Sequence, residues 1–298
     1  MSITSNLDIA VIGQKAIASL KVRLPALAAF SINFGAEVQQ KGVSVTVPLI
    51  GSKTGGDFSG NYTTDASNNV SSTTVTLDQS TDSVTGLTDI EYADAGLQIL
   101  SDYAAEDMYA VSKTIVDYAL DVVTVANYQR EYTEVASAVD IDTIIGLKAM
   151  AMGLGWDRGT ILLNADAYKY WLASYVSTVS FTPGQNPETT EFLGFRIIPY
   201  TSLPSDEGLI GICCNPVCLA VASRPVAVLP GAGAGTQQAI VTEPDSGLSL
   251  GLRSFYSNDT GRQIQAVHQV HGAAVGKADG LIRLVSSDQD NSSSSSVT

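Results

Sequence analysis

The pattern Gly247-Leu248-Ser249-Leu250-Gly251 is the best candidate for nucleophilic catalysis in the sequence. In serine hydrolases, a GxSxG pattern sets the serine on a sharp turn between a strand and a helix, and an acid and a histidine follow. Asp259 and two histidines do follow here. The leucines that alternate through this stretch are instead typical of a continuing strand, and too little chain remains for a hydrolase sheet. A serine hydrolase that uses Ser249 is therefore the most distant alternative.

The histidines and cysteines do not have the spacing of a metal site. His268 and His271 are the only histidines, and on a strand a spacing of three residues sends two side chains to opposite faces. Cys213, Cys214 and Cys218 lack the paired CxxC units of zinc sites, and we interpret them as small buried hydrophobic residues. We predict no metal-binding residue.

Phosphate-binding patterns are also incomplete. Residues 51–54, Gly-Ser-Lys-Thr, resemble the end of a P-loop, but the upstream glycine and the following helix are missing. Gly231, Gly233 and Gly235 do not form the GxGxxG pattern between a strand and a helix. We therefore predict no cofactor, no catalytic residue and no enzyme activity.

The composition is that of a folded protein in a reducing compartment. The 298 residues are 45% hydrophobic, which excludes general disorder, and no apolar run approaches the roughly 20 residues of a membrane helix. The N-terminus has no basic region followed by an apolar core, so we expect no secretion signal. Three clustered cysteines argue against a disulfide framework. We expect folding in the cytoplasm, without a membrane.

The net charge of −14 is unevenly distributed along the chain. Residues 1–53 carry five basic and two acidic side chains, whereas residues 54–126 carry one basic and twelve acidic side chains. This acidity argues against a protein that reads a nucleic-acid sequence, because phosphate contacts need clustered Lys and Arg. The basic N-terminal segment is suited to an acidic surface on a neighbouring molecule; ordinary solvated charge is the alternative.

A long helix is predicted from Thr88 to Ala126, and the rest of the chain is organised around it. Thr88 and Glu91 form a capping-box pattern, and apolar residues then recur every three or four positions. At 1.5 Å per residue, this helix would be roughly 55–60 Å long. Because no other segment has a matching length, we expect it to lie along an elongated sheet.

A helix and a hairpin are predicted before the long helix. Residues 1–24 form one helix that ends before Pro25 and docks either on its own domain or on a neighbour. A strand with Val43, Val45 and Val47, a polar Gly- and Ser-rich stretch, and the run TTVTLDQ together predict an extended hairpin. Such a hairpin cannot stand alone, so it lies either on another subunit or over the core of its own chain.

A mixed α/β domain and a final set of strands are predicted after the helix. Directly after the long helix, NYQREYTEV predicts a short strand-like bridge. The α/β domain has a helix at 138–155 capped by Asp140, a strand at GTILLNA, a helix capped by Asn164, a loop at 176–191, strands at FLGFRIIPY and GLIGICC, and a short helix at NPVCLAVAS. An antiparallel pair around the turn 258–261, a closing strand at GLIRLVSS and a polar tail complete the chain.

This order of parts resembles the major capsid proteins of tailed double-stranded DNA phages, whose Johnson fold is shared with encapsulins. The segments KGVSVTVPLIG, TTVTLDQ, the spine-like helix, FRIIPYTSLP and the ending from YSNDTG to LIRLV carry the resemblance. It covers nearly the whole chain. It implies an α+β fold with an N-terminal arm (1–35), a peripheral-domain strand and extended loop (36–87), a spine helix and peripheral domain (88–134), an axial α/β domain (135–228), returning peripheral strands (229–285) and a polar tail (286–298).

The resemblance implies a structural protein that forms pentamers and hexamers in an icosahedral virion capsid, assembled in the host cytoplasm around double-stranded DNA. Its implied partners are other copies of itself, a separate scaffolding protein, a portal and possible cement proteins, with non-specific contacts to packaged DNA. An encapsulin-like compartment shell is the alternative. Residues expected at contacts between subunits are Lys15, Lys21, Arg23, Lys53, Phe58, Tyr62, Asp94, Asp102 and Glu106.

Overall fold

The computed structural model describes residues 4–30, 44–50, 70–178, 190–226 and 236–287. Four α-helices lie in these residues: α1 (Thr4–Arg23), α2 (Asp89–Asp121), α3 (Ile141–Gly153) and α4 (Ala165–Thr178). The strands are β1 (Ser44–Ile50), β2 (Val70–Thr76), β3 (Gln79–Thr88), β4 (Glu131–Thr133), β5 (Gly159–Leu163), β6 (Thr190–Phe192), β7 (Phe195–Pro199), β8 (Leu209–Cys214), β9 (Leu219–Pro225), β10 (Gln237–Thr242), β11 (Ser249–Ser257), β12 (Arg262–Val275) and β13 (Leu281–Val285). None of the described helices is both long and apolar enough to cross a membrane.

The long helix α2 begins where the sequence predicts. The Thr88 side chain accepts a hydrogen bond from the Glu91 backbone N–H, and the Thr88 N–H donates to Glu91 Oε2 at 2.9 Å, which completes the capping box. These hydrogen bonds with Thr88 lower the pKa of Glu91. The helix ends at Asp121, before the predicted Ala126, because residues 122–125 are all β-branched and therefore poor helix formers.

Most strands pair into two sheets, and β1 and β2 form a separate antiparallel hairpin. The five-stranded sheet has the order β10-β11-β12-β3, with β9 also paired to the far end of β12. The six-stranded sheet has the order β4-β13-β8-β5-β7-β6, in which β5 and β7 are parallel. The fold is therefore α+β, as predicted.

Helices α1 and α2 cover one face of the five-stranded sheet. The apolar stripe of α2, including Met108 and Ile115, is buried in a core shared with Leu250 and Val267 of the sheet. Ile17 and Leu20 of α1 enter the same core. The predicted N-terminal helix therefore docks on its own chain, which was one of the two alternatives.

Helices α3 and α4 cover one face of the six-stranded sheet, where Trp171 and Phe195 are fully buried. Both predicted caps are present. The Asp140 side chain accepts from the Thr143 N–H at 2.9 Å, and the Asn164 side chain accepts from the Ala167 N–H at 2.8 Å. Because each cap satisfies a backbone donor at the start of its helix, the local sequence fixes both helix starts.

Four strands differ from the predictions. FLGFRIIPY, predicted as one strand, instead turns at Leu193 and Gly194, so that β6 and β7 pair antiparallel. The end of α4 and the start of β6 also lie inside the predicted loop 176–191. The segment NPVCLAVAS, predicted as a helix opening at Pro216, instead contains a turn and then β9, because its apolar residues pair with β12. Strands β3 and β10 were not predicted; β3 is mostly Ser, Thr and Asp, and its pairing with β12 determines its conformation. The closing strand β13 forms as predicted, and it lies in the six-stranded sheet with β4 and β8.

Three described segments connect the two sheets: 122–130 between α2 and β4, 215–218 between β8 and β9, and 276–280 between β12 and β13. We call them the crossing segments. They lie together, because the buried Tyr128 hydroxyl donates to the Cys218 carbonyl at 2.8 Å and the Gly276 N–H donates to the same carbonyl at 2.9 Å. The connection between the sheets is therefore a single hydrogen-bonded cluster.

Candidate assembly surfaces

The described part of the β1–β2 hairpin packs on the face of the five-stranded sheet opposite α2. Its strands pair in register from Ser44 with Thr76 to Ile50 with Val70. Val45, Val47 and Val75 are buried against Ala220 and Ala222 of β9. The base of the predicted hairpin therefore rests on its own chain, while the predicted tip, residues 51–69, lies outside the described residues.

A glycine permits the hairpin to cross β12. A Cβ atom added to Gly272 would lie 1.8 Å from the carbonyl oxygen of Thr76, a contact that no side chain can make. Val270 and Ala274, which flank this glycine on the same face, pack against the hairpin core. Gly272 is therefore the point at which the hairpin base meets the sheet.

Two of the predicted basic contact residues have partners within the chain. Arg23 forms a bidentate ion pair with Glu106 of α2, with N–O distances of 2.8 and 3.0 Å, and its guanidinium lies 4.4 Å from the centre of the Tyr109 ring. Lys21 pairs with Asp245 in the β10–β11 turn at 2.7 Å. These partners raise the pKa of Arg23 and of Lys21, and Arg23 lowers the pKa of Glu106. The basic end of α1 thus meets an acidic surface of its own chain.

Of the other predicted contact residues, the structure describes the side chains of Lys15 and Asp102. Lys15 and Asp102 are exposed on α1 and α2. Asp94 lies in the first turns of α2, where side chains are not described. Lys53, Phe58 and Tyr62 fall outside the described residues. A role for these residues between subunits stays a prediction.

Exposed apolar side chains mark two surfaces that the sequence analysis missed. On the five-stranded sheet, Val84 and Ile240 are more than half exposed on the face away from α2. On the helices that cover the six-stranded sheet, Ile145, Met152 and Tyr170 are exposed. Sequence periodicity identifies these residues as apolar but cannot separate them from the core, because burial depends on which element packs outside them.

The candidate catalytic residues do not form a catalytic site. Ser249 is the first residue of β11, and its hydroxyl lies 2.9 Å from that of Thr242 on β10. His268 Nε2 lies 2.8 Å from the Ser80 hydroxyl, and His271 is buried edge-on against the Tyr118 ring on the opposite face, the face toward α2. Because Ser249 precedes an extended strand and no helix, the geometry contradicts a nucleophile elbow.

All three cysteines are free and buried, as the sequence analysis expected. Burial raises the pKa of the Cys213 and Cys218 thiols, so they are poor nucleophiles. Within the described ranges, no group of three His, Cys, Asp or Glu side chains is arranged to hold a metal ion.

Two buried charged residues, Asp107 and Arg283, link one element to another. No sequence pattern predicts their burial or their partners. Asp107 of α2 accepts hydrogen bonds from Ser83 and Thr85 of β3 at 2.6 and 3.1 Å, and burial raises its pKa. Arg283 of β13 is fully buried and pairs with Glu131 and Glu207 at 2.5 and 2.6 Å. Only the tertiary fold brings these partners together, since they are 22 to 152 residues apart in the chain.

A scan against protein-family models gives no match for this sequence, and a search of curated proteins also gives none. Solved structures do match. One from the Mycobacterium phage Che8 has a TM-score of 0.54 at 15% identity, over 86% of this chain and 89% of its own. The capsid structure of the Cyanophage P-SCSP1u has a TM-score of 0.52 at 13% identity, over 83% of this chain and 84% of its own. The mature capsid of bacteriophage PhiM1 has a TM-score of 0.50 at 11% identity, over 84% of this chain and 83% of its own.

These matches cover more than four fifths of both chains in each comparison. At such low identity, they define the fold. The chain has the α+β fold of phage capsid structures, and the resemblance to tailed-phage major capsid proteins is confirmed at that level.

Proposed function

We propose that this chain is the major capsid protein of a tailed double-stranded DNA phage. It assembles through pentamers and hexamers into an icosahedral shell that encloses the genome, in the cytoplasm of the host. The observation that carries the proposal is the likeness of fold to phage capsid structures along nearly the whole chain. The protein acts through surfaces and has no catalytic role.

The described surfaces support self-association. Exposed apolar side chains on the five-stranded sheet and on the helices that cover the six-stranded sheet, including Val84, Ile240 and Met152, are not covered within one copy and can be buried between copies. In this proposal the hairpin tip, with Lys53, Phe58 and Tyr62, overlaps an adjacent subunit. The segment 135–228 lies toward the capsomer axis, and Asp94 and Asp102 contact neighbours. The proposed partners are a separate scaffolding protein, a portal and cement proteins, with non-specific contacts to DNA.

Expression of the full chain with and without its phage's scaffolding protein, followed by electron microscopy of purified particles, tests the proposal. We expect closed icosahedral shells, and DNA-filled particles when the protein is recovered from phage. A chain that stays monomeric in both conditions would contradict the proposal. Small shells that hold a protein cargo and no DNA would favour the encapsulin-like alternative.

A further inference from the structure

The crossing segments are tied to one another more densely than a simple linker requires. Besides the two hydrogen bonds to the Cys218 carbonyl, the Lys277 N–H donates to the Val217 carbonyl at 3.0 Å. The Asn215 N–H donates to the Gly280 carbonyl at 2.8 Å. All three connections between the sheets are thereby joined by backbone or buried hydrogen bonds, which are expensive to break without a replacement partner.

The crossing segments also pack so closely that there is no room for a side chain where they meet. A Cβ atom added to Gly276 would lie 2.4 Å from the Val217 carbonyl oxygen and 2.7 Å from that of Cys218. Only glycine fits at this approach. Tyr128, whose side chain is fully buried, lies in the same core cluster as Cys218. The segments therefore have little freedom to slide past one another.

The Arg283 site holds the neighbouring end of α2 to the six-stranded sheet. Glu207, which pairs with Arg283, also accepts a hydrogen bond from the Val125 N–H at 2.8 Å, just after α2 ends. Glu207 has a left-handed φ of 57°, a costly conformation for a residue other than glycine. One carboxylate thus connects the exit of α2 to β13 through a buried guanidinium.

From these observations we infer that the crossing segments set the angle between the two sheets, and that this angle determines the curvature of the assembled shell. The inference rests on the proposed function. In a closed shell built from copies of one chain, the shape of the subunit limits the angles at which neighbours can meet. Tyr128 and Gly276 are then positioning residues for shell geometry, because both act on the segments that join the sheets.

Tyr128→Phe and Gly276→Ala test the inference. Tyr128→Phe removes one hydrogen bond and leaves the Cys218 carbonyl paired with Gly276, whereas Gly276→Ala forces the segments apart. We expect both variants to keep their secondary structure, with Tm lowered by roughly 2–4 °C for Tyr128→Phe. We expect both to give a broader distribution of particle diameters in electron micrographs, with Gly276→Ala giving the larger change.

Ile144→Val is the matched control. Ile144 is fully buried in the core under α3, away from the crossing segments, and loss of one methylene there costs about as much stability as loss of one hydrogen bond. Its particles should keep the wild-type diameter. If the Tyr128→Phe and Gly276→Ala particles are as uniform as those of the control, the inference is wrong.

A second measurement separates this inference from the proposed function. Spin labels at Val84→Cys on β3 and Met152→Cys on α3, both exposed positions, report the distance between the two halves of the subunit. We expect a single narrow distance for the otherwise unchanged chain and a broadened or shifted one for Gly276→Ala. An unchanged distribution would overturn the inference. A broadened one in a chain that forms no shells would overturn the proposed function, and with it the link to curvature, but would leave the crossing segments as what sets the angle between the sheets.

Discussion

At the scale of single residues, Gly272 occupies a position that has no room for a side chain. A side chain there would collide with the backbone of Thr76, which a rotamer change cannot relieve. We expect Gly272→Ala to lower the free energy of unfolding by about 3 kcal/mol, since the hairpin base must lift from the sheet. Urea unfolding measures this loss.

Gly153→Ala provides the comparison for that substitution. Gly153 is the last residue of α3, and a Cβ atom there would meet nothing within 4 Å. Alanine favours helix, so this variant should be unchanged or more stable by about 0.5 kcal/mol. Equal losses at the two glycines would show that the contact with Thr76 is not the cause.

The buried carboxyl of Asp107 predicts a pH dependence of stability. Burial raises its pKa above the ordinary value of 3.8, although the hydrogen bonds from Ser83 and Thr85 oppose the shift. The folded protein therefore keeps the proton at pH values where the unfolded chain has released it. Between the ordinary and the raised pKa, stability rises as the pH falls and declines as the pH rises.

Asp107→Asn should remove this contribution, because an amide oxygen still accepts both hydrogen bonds but does not ionise. Urea unfolding at about pH 4 and about pH 7 should show a smaller decline with pH for the variant than for the wild type. Asp259→Asn, at an exposed turn residue, removes the same charge. Its free energy of unfolding should decline with rising pH as much as that of the wild type. If Asp107→Asn also retains it, another group causes the dependence.

At the scale of elements, the ion pair between Arg23 and Glu106 joins the last turn of α1 to α2. Both side chains are substantially exposed, so the pair stabilises the docking of α1 only weakly. A double-mutant cycle of Arg23→Ala and Glu106→Ala should give a coupling of about 0.5–1 kcal/mol. The coupling should fall as salt is added, because salt screens exposed charges.

Lys15→Ala, combined with Glu106→Ala, is the control for that cycle. Lys15 is exposed on the same helix and should show no coupling to Glu106. Thermal or urea unfolding supplies each free energy. A coupling of zero for Arg23 would mean that the buried apolar face of α1 alone holds the helix in place.

Local signals in the sequence predicted the helices well, because their start sites are encoded by nearby residues. Thr88, Asp140 and Asn164 each cap a helix at the expected position. Strands β3 and β9 were missed or misassigned because their conformation depends on β12, which lies up to about 190 residues away in the chain. Sequence periodicity cannot report a distant partner.

The candidate contacts were less predictable than the fold, for a related reason. The sequence shows that Lys21 and Arg23 are basic and that the segment around α2 is acidic. The structure pairs Arg23 with Glu106 of α2, but pairs Lys21 with Asp245 of the β10–β11 turn. Whether a charge meets its own chain or a neighbour depends on how α1 docks. Ile17 and Leu20 of α1, which are buried in the core shared with α2, determine that docking.

At the scale of the whole molecule, one core connects the two halves. The largest buried cluster contains α1 and α2 residues together with Leu162, Ile198 and Ile212 of the six-stranded sheet. The second large cluster lies entirely under α3 and α4. The two sheets therefore share one core and belong to a single folded unit.

The join between β3 and α2 has a mechanical consequence. Thr88 is both the last residue of β3 and the N-cap of α2, and only Leu77 and Asp78 separate β2 from β3. A displacement of the hairpin thus meets no loop that can absorb it before it reaches the helix. Strands β2 and β3 and helix α2 form one continuous path, so a force on the described base of the hairpin reaches the start of α2 directly.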